Sequence, residues 1–177
     1  MTRANPLPAL WLLSDERNDA VLEHALAHLP RGNALVFRHY HLDDKARRQR
    51  FERLTAAARA RDHLVILSGP AELAQEWGAD GIYGPPEKLG RLPGLLRLAA
   101  AHDAREIVLA NRAGAHGVFL SPVFPTRSHP GDECLGPEKF RELAVQAEMP
   151  VIALGGMTAE RARELDWRRW AAIDGLS

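Results

Sequence analysis

Cysteine is all but missing from this chain of 177 residues: Cys134 is the single one, so no disulfide can form within it. That suits a reducing cytoplasm, the compartment expected here. Net charge is missing too. Lys plus Arg and Asp plus Glu number 23 each, a balance that gives no bulk attraction to nucleic acid or to a membrane surface. No apolar run approaches the roughly 20 residues that cross a bilayer. The first residues show no basic stretch followed by an apolar core, so no signal peptide is expected. The eight histidines show no metal-ligand spacing. His39 and His41 are a pair without further partners, and His24 and His28, four apart on a helix, read as surface residues. Cys134 has no obvious base partner, and neither a Ser-His-Asp order nor a nucleotide-binding glycine fingerprint stands out. No segment specifies an oligomeric state.

What is present is ordinary globular composition, 46% hydrophobic and 26% charged, in a length suited to one well-buried domain. Buried-strand patterns fall at Pro8–Leu13, Ala34–Phe37, His63–Leu67, Gly81–Gly84, Gly94–Ala99, from Gly117, at Pro150–Leu154 and at Trp170–Ile173. Between them lie helical patterns. Asp19 is placed to cap one whose face is Val21, Leu22, Ala25, Leu26 and Leu29. A basic helix follows Asp43 and runs to about Arg61, with Phe51, Leu54 and Ala58 inward and its arginines read as a solvated face. Others are Ala71–Trp77, one capped by Asp103 with Glu106 at capping-box spacing, one from Pro137, and one from Thr158 to Leu165. Only a brief helical turn follows Pro85-Pro86-Glu87-Lys88. Eight alternations of strand and helix point to parallel βαβ units. An internal echo supports repetition: Gly78-Ala79-Asp80-Gly81-Ile82 resembles Gly114-Ala115-His116-Gly117-Val118. The expected fold is α/β, a short (β/α)8 TIM barrel with its last helix missing or reduced. An open doubly wound sheet is the alternative.

In such a barrel the chemistry gathers at the C-terminal ends of the strands. Those ends offer Ser14, Asp15 and Arg17; Arg38 to His41; Ser68; Tyr83, Glu87 and Lys88; His102; Ser121 and the loop Thr126-Arg127-Ser128-His129; then Gly155, Gly156 and Asp174. The loop carries hydroxyls, a guanidinium and an imidazole, a set suited to an oxyanion. The Gly-Gly pair lets main-chain amides approach a phosphate closely, ahead of a helix start that favours anions. A small phosphorylated ligand is therefore the expected partner.

The run SPVFPTRSHPG with LGP, and then PVIALGGMTAERA, resembles the thiamine-phosphate synthases and their thiazole-tautomerase relatives. LWLLSDERN and LAQEWGADGIYG are similar to the same family, and the likeness extends from about Leu10 to Asp174. The resemblance implies a (β/α)8 barrel, cytoplasmic, that joins hydroxymethylpyrimidine diphosphate to thiazole phosphate and releases pyrophosphate with Mg²⁺. By position, Thr126, Ser128, Gly155 and Gly156 would hold the thiazole phosphate, with Ser121, Arg127, Tyr40 and Asp174 nearby. Arg38 would face the pyrophosphate and, with His129, would be catalytic. The chain also departs from the pattern. Phe37, His39 and Tyr40 stand where the family has Gln, Glu and Lys, and Ser68-Gly69 replaces the Asn-Asp pair that serves the metal. Another metal carboxylate aligns near Lys88, with Glu87 beside it as a substitute. A lysine is replaced by His129, and the histidine of the tautomerases by Pro122. A synthase-type transferase is the leading expectation. A non-catalytic relative that binds a phosphorylated ligand, as a regulator or partner protein, is the alternative, followed by a tautomerase.

Overall fold

A computed structural model describes residues 6–128, 130–131 and 133–177. Among these, eight parallel strands form a closed barrel in sequence order: β1 (Leu10–Leu13), β2 (Ala34–Phe37), β3 (Leu64–Ser68), β4 (Gly81–Gly84), β5 (Leu96–Ala101), β6 (Gly117–Leu120), β7 (Val151–Leu154) and β8 (Trp170–Ala172). β1 closes the ring by pairing with β8, Leu10 opposite Trp170. Six α-helices run around it: α1 (Leu22–His28), α2 (Asp44–Arg59), α3 (Ala71–Trp77), α4 (Ala104–Ala113), α5 (Gly136–Ala144) and α6 (Ala159–Leu165). The links after β4 and β8 hold only 3₁₀ turns, Pro86–Lys88 and Asp174–Leu176. The expected barrel with a reduced last helix is what forms, and a second helix is reduced as well.

Side chains alternate across each strand, so one sequence run serves two cores. Trp11, Leu13, Ala34, Val36, Ile66, Leu98, Phe119, Ile152 and Ala171 fill the interior. The Phe119 ring meets Trp11 edge-on at 5.3 Å and Tyr83 at 5.1 Å. Their neighbours, including Leu12, Leu35, Phe37, Val65 and Leu67, face outward onto helices α1, α2 and α3. Ala99, Val118, Leu120, Val151 and Ala153 face Ile107 of α4, Phe140 of α5 and Leu165 of α6. Strands buried on both faces read as continuous apolar runs, which is why alternation was invisible in the sequence.

The internal echo has a structural cause at the barrel floor. Gly78 and Gly114 end α3 and α4 in the left-handed conformation. Asp80 and His116 then pair reciprocally with the preceding strand: Val65 donates its amide to the Asp80 carboxylate at 2.8 Å, and Arg97 donates its amide to the His116 ring at 2.9 Å. The Asp80 and His116 amides donate back to the Val65 and Arg97 carbonyls. Asn33, before β2, accepts from the Leu10 amide in the same way at 2.9 Å. Gly117 follows because a Cβ there would lie 2.8 Å from Leu7 Cδ1 on the barrel floor.

Several expected boundaries move. β1 starts at Leu10, because Pro8 lacks the donor a ladder needs; its carbonyl accepts from the Trp11 indole at 2.9 Å. β5 runs Leu96–Ala101, two residues later than expected, because Gly94 adopts φ +83° in a turn whose Leu95 amide returns to Leu92. α2 ends at Arg59 and β8 at Ala172. The first helical segment is capped by Asp15, with Asn18 completing the capping box, and not by Asp19. Asp19 sits inside that 3₁₀ turn, Glu16–Val21, and serves the network described below. Asp103 caps α4 at 2.8 Å as expected. Glu106, however, accepts from the His102 amide and ring, at 2.6 and 2.8 Å, instead of from Asp103.

The basic face of α2 is not simply solvated. Arg47 lies 5.5 to 5.9 Å over the rings of Phe37, Trp77 and Tyr40, and donates to the carbonyls of Arg38 and Ser68 at 2.9 and 2.8 Å. Arg50 is paired with Asp19 and Glu23. Arg48 and Arg53 remain exposed.

Candidate functional site

A cavity of about 980 Å³ opens where the strands end, lined by residues that follow β1, β2, β5, β6, β7 and β8. Of the residues singled out from sequence, Arg17, Arg38, Tyr83, His102, Ser121, Thr126, Arg127, Ser128, Gly155, Gly156 and Asp174 line it. Tyr40 does not: its ring is exposed and its hydroxyl meets Ser68 Oγ. Glu87 is exposed on the 3₁₀ turn after β4, outside the lining. His129 lies outside the described residues. Reading the sequence missed Arg161, Glu160 and Glu164, which α6 sends to the rim, and Glu133 from the loop before α5. For Glu160, Arg161 and Glu164 the only signal was position, within three turns after the Gly-Gly pair, and for Glu133 there was none.

Two loops make one side of the cavity. The segment after β6, which contains the cis Ser121–Pro122 bond, is laced to the end of β7: the Val123 amide donates to Leu154 at 2.9 Å and the Phe124 amide to Gly155 at 3.0 Å. Contact is so close that a Cβ on Gly155 would lie 2.6 Å from Pro122 Cα, and one on Gly156 would overlap the Pro125 carbonyl oxygen. Both glycines have positive φ, +103° and +61°. The β7–β8 register turns the Gly155 amide toward the Ala171 carbonyl, and among the described residues the Gly156 amide finds no acceptor. Arg161 fixes the turn from behind, donating to the Gly156 carbonyl with its guanidinium 4.9 Å from the Phe124 ring. Across the mouth, Ser128 donates its amide to Thr126 Oγ1 at 3.1 Å and accepts from Arg17 at 3.0 Å.

The opposite wall is built around two guanidiniums, with Asp15 between them and Asp174 3.9 Å from Arg17. Arg38, half-buried, donates to the Ser14 carbonyl at 2.9 Å and to Asp15 at 3.0 Å. Asp15 also accepts from Arg17 at 3.1 Å, so one carboxylate bridges two guanidiniums. Burial would raise its pKa, but the hydrogen bonds from Arg17 and the field of Arg38 outweigh burial and hold it below the usual carboxylate range. Tyr83 faces the cavity with its pKa pushed up to about 12 by burial, so its hydroxyl stays a neutral donor.

Behind Arg38 the fold assembles a Ser-His-Asp constellation that sequence order had hidden. His39 meets Ser14 Oγ at 2.8 Å through Nδ1 and Asp19 at 2.7 Å through Nε2. Ser14 is fully buried and already accepts from the Arg38 amide at 2.7 Å, so it is not a nucleophile. Burial pushes the His39 pKa down, more than Asp19 raises it. His63, buried between the Asn33 amide and the Leu26 carbonyl, is lowered for the same reason. Histidines with depressed folded-state pKa values bind fewer protons folded than unfolded, so stability rises with pH through that window. Thermal melts from pH 8 to pH 5 are therefore expected to fall below about pH 6.5, the unfolded value. A flat profile would contradict a buried, neutral His39 and His63. Asp15, Asp19 and Glu23, whose pKa values are lowered, extend the loss to still lower pH.

The donor set does not fit a divalent cation held by the protein. Among the described residues no group of three His, Cys, Asp or Glu could hold one. Both oxygens of Asp15 are taken by arginines, and Glu87 stands apart.

The thiamine monophosphate synthase family profile matches residues 10–173. A relative from Aquifex aeolicus, whose name assigns it to thiamine-phosphate synthesis, is 27% identical over 166 residues, 89% of each chain. The thiamine-phosphate synthase of Chlorobium luteolum is 31% identical over 134 residues, 71% of this chain and 63% of that one. The solved thiamine phosphate pyrophosphorylase of Pyrococcus furiosus superposes with a TM-score of 0.76 at 23% identity, over 93% of this chain and 84% of that one. At that identity the superposition speaks for the fold alone.

Proposed function

Because this chain belongs to the thiamine monophosphate synthase family, we propose that it joins hydroxymethylpyrimidine diphosphate to thiazole phosphate and releases pyrophosphate. The observation that carries the reading is the Gly155-Gly156 turn, with its unpartnered Gly156 amide, in the same cavity wall as the hydroxyl-bearing loop Thr126–Ser128. Amides and hydroxyls at one point suit a phosphate monoester. They would hold the thiazole phosphate, with Ser121 and Arg127 alongside.

In the coupling step the bond from the pyrimidine's methylene carbon to the pyrophosphate oxygen breaks, and a bond from that carbon to the thiazole nitrogen forms. Negative charge develops on the leaving group. Arg38, with Arg17 held beside it through Asp15, supplies fixed positive charge on the opposite wall, where stabilisation is needed. Mg²⁺, which the family resemblance implies, would add charge neutralisation when carried in with the diphosphate.

Incubation with both phosphorylated substrates and Mg²⁺ is expected to yield thiamine phosphate and pyrophosphate. Arg38→Ala is expected to lower the rate by about 100-fold or more, the usual effect of removing one preorganised charge or donor at a developing anion. Failure of the wild-type protein to form product, with thiazole phosphate still bound in calorimetry, would overturn the transferase reading and leave a ligand-binding relative.

A further inference from the structure

We propose that His39 is a positioning residue for Arg38, acting through Ser14 to hold the guanidinium at the diphosphate wall of the cavity. The inference rests on the reading of Arg38 given above and adds the device that aims it.

His39 adopts φ +43°, a left-handed conformation that costs a non-glycine residue about 1 kcal/mol or more and persists only where the surroundings impose it. Here the kink sends consecutive side chains to opposite destinations. Arg38 enters the cavity, and His39 turns away from it to lie 1% exposed, stacked on Phe37 at 4.9 Å with the rings parallel. The buried ring then completes a hydrogen-bond chain with one consistent proton assignment. The Arg38 amide donates to Ser14 Oγ. The Ser14 hydroxyl, having one proton and no access to water, donates to His39 Nδ1. His39 Nε2–H donates to Asp19, which also accepts from Arg50 Nε at 2.6 Å.

Ser14 also presents its carbonyl to Arg38 Nε, so one residue grips Arg38 by both backbone and side chain. A neutral His39 satisfies every group. Without the ring the Ser14 hydroxyl has no acceptor, and the clamp on Arg38 loses its reference point. None of this touches ligand. The constellation is inverted relative to a hydrolytic triad, with Nδ1 on the serine side, and Ser14 is sealed off.

The test uses inorganic pyrophosphate as the probe in titration calorimetry on wild type, His39→Asn, Ser14→Ala, Arg38→Ala and the His39→Asn/Arg38→Ala double variant. Asn tolerates positive φ, so His39→Asn removes the ring while keeping the backbone, and Ser14→Ala leaves His39 in place. Each single change at His39 or Ser14 is expected to weaken binding about tenfold, within the range of coupling between contacting residues. The double variant is expected to bind no more weakly than Arg38→Ala alone. The Arg38 Nε–H resonance, held by the Ser14 carbonyl in the free wild-type protein, is expected to shift toward solvent-exposed values in His39→Asn. An equal loss on top of Arg38→Ala would mean that His39 acts on the fold at large and would overturn the proposal. So would unchanged affinity in both His39→Asn and Ser14→Ala while Arg38→Ala is weak. Wild-type affinity in Arg38→Ala would overturn the role of Arg38 itself, and this inference with it.

Discussion

Gly156→Ala is expected to abolish measurable thiazole phosphate binding and to destabilise the fold by about 3 kcal/mol or more. Two costs add. An alanine at φ +61° is forced into a left-handed conformation worth about 1–2 kcal/mol. Its Cβ would also overlap the Pro125 carbonyl and crowd Phe124 Cβ at 3.1 Å, the kind of overpacking that costs roughly 1–3 kcal/mol. The loop after β6 is hydrogen-bonded to this turn, so relief of the clash moves the Thr126–Ser128 segment and the amides together. In a domain of this size 3 kcal/mol lowers the melting temperature by about 10 °C. Calorimetry at a temperature where the variant is folded separates the two effects. Wild-type affinity there would place the anion elsewhere.

The second large effect lies at the other end of the barrel. Trp11 is fully buried and in edge contact with Phe119. Its indole donates to Pro8. Trp11→Ala is expected to cost about 3–5 kcal/mol, the range for large aromatic truncations, against a total stability of roughly 5–15 kcal/mol for ordinary domains. Urea titration should show a clear drop in midpoint with little change in slope. A midpoint near that of wild type would mean that the interior collapses onto the gap. Val108→Ala, on the exposed face of α4, serves as a control and should stay within about 0.5 kcal/mol.

The barrel was legible because apolar runs and polar breaks alternate, and every expected strand exists. What blurred were the ends, where buried runs carry no alternation to mark a register: Gly94 and Leu95 are as apolar as β5 itself, yet belong to a turn. The Gly155-Gly156 pair was legible as a tight turn, and its positive φ values agree with that reading. The polar wall was harder to read. Nothing in the order Ser14, Asp19, His39 announces that three residues on two different strand-to-helix links will meet, because the meeting depends on β1 and β2 being neighbours and on a left-handed residue just past β2. Asp19 looked like a helix cap because its type is right for one. Asp15 took that role, being placed one step beyond the buried Ser14, and freed Asp19 for His39 and Arg50.

The clasps of Asn33, Asp80 and His116 recur at alternate strands on the rim opposite the cavity. They cinch β1, β3 and β5 at their entry points using side chains that lie outside the cavity lining. Cohesion and chemistry are thus housed at separate poles of one small molecule. Changes to exposed side chains at the mouth can proceed while the lower hoop keeps the staves together.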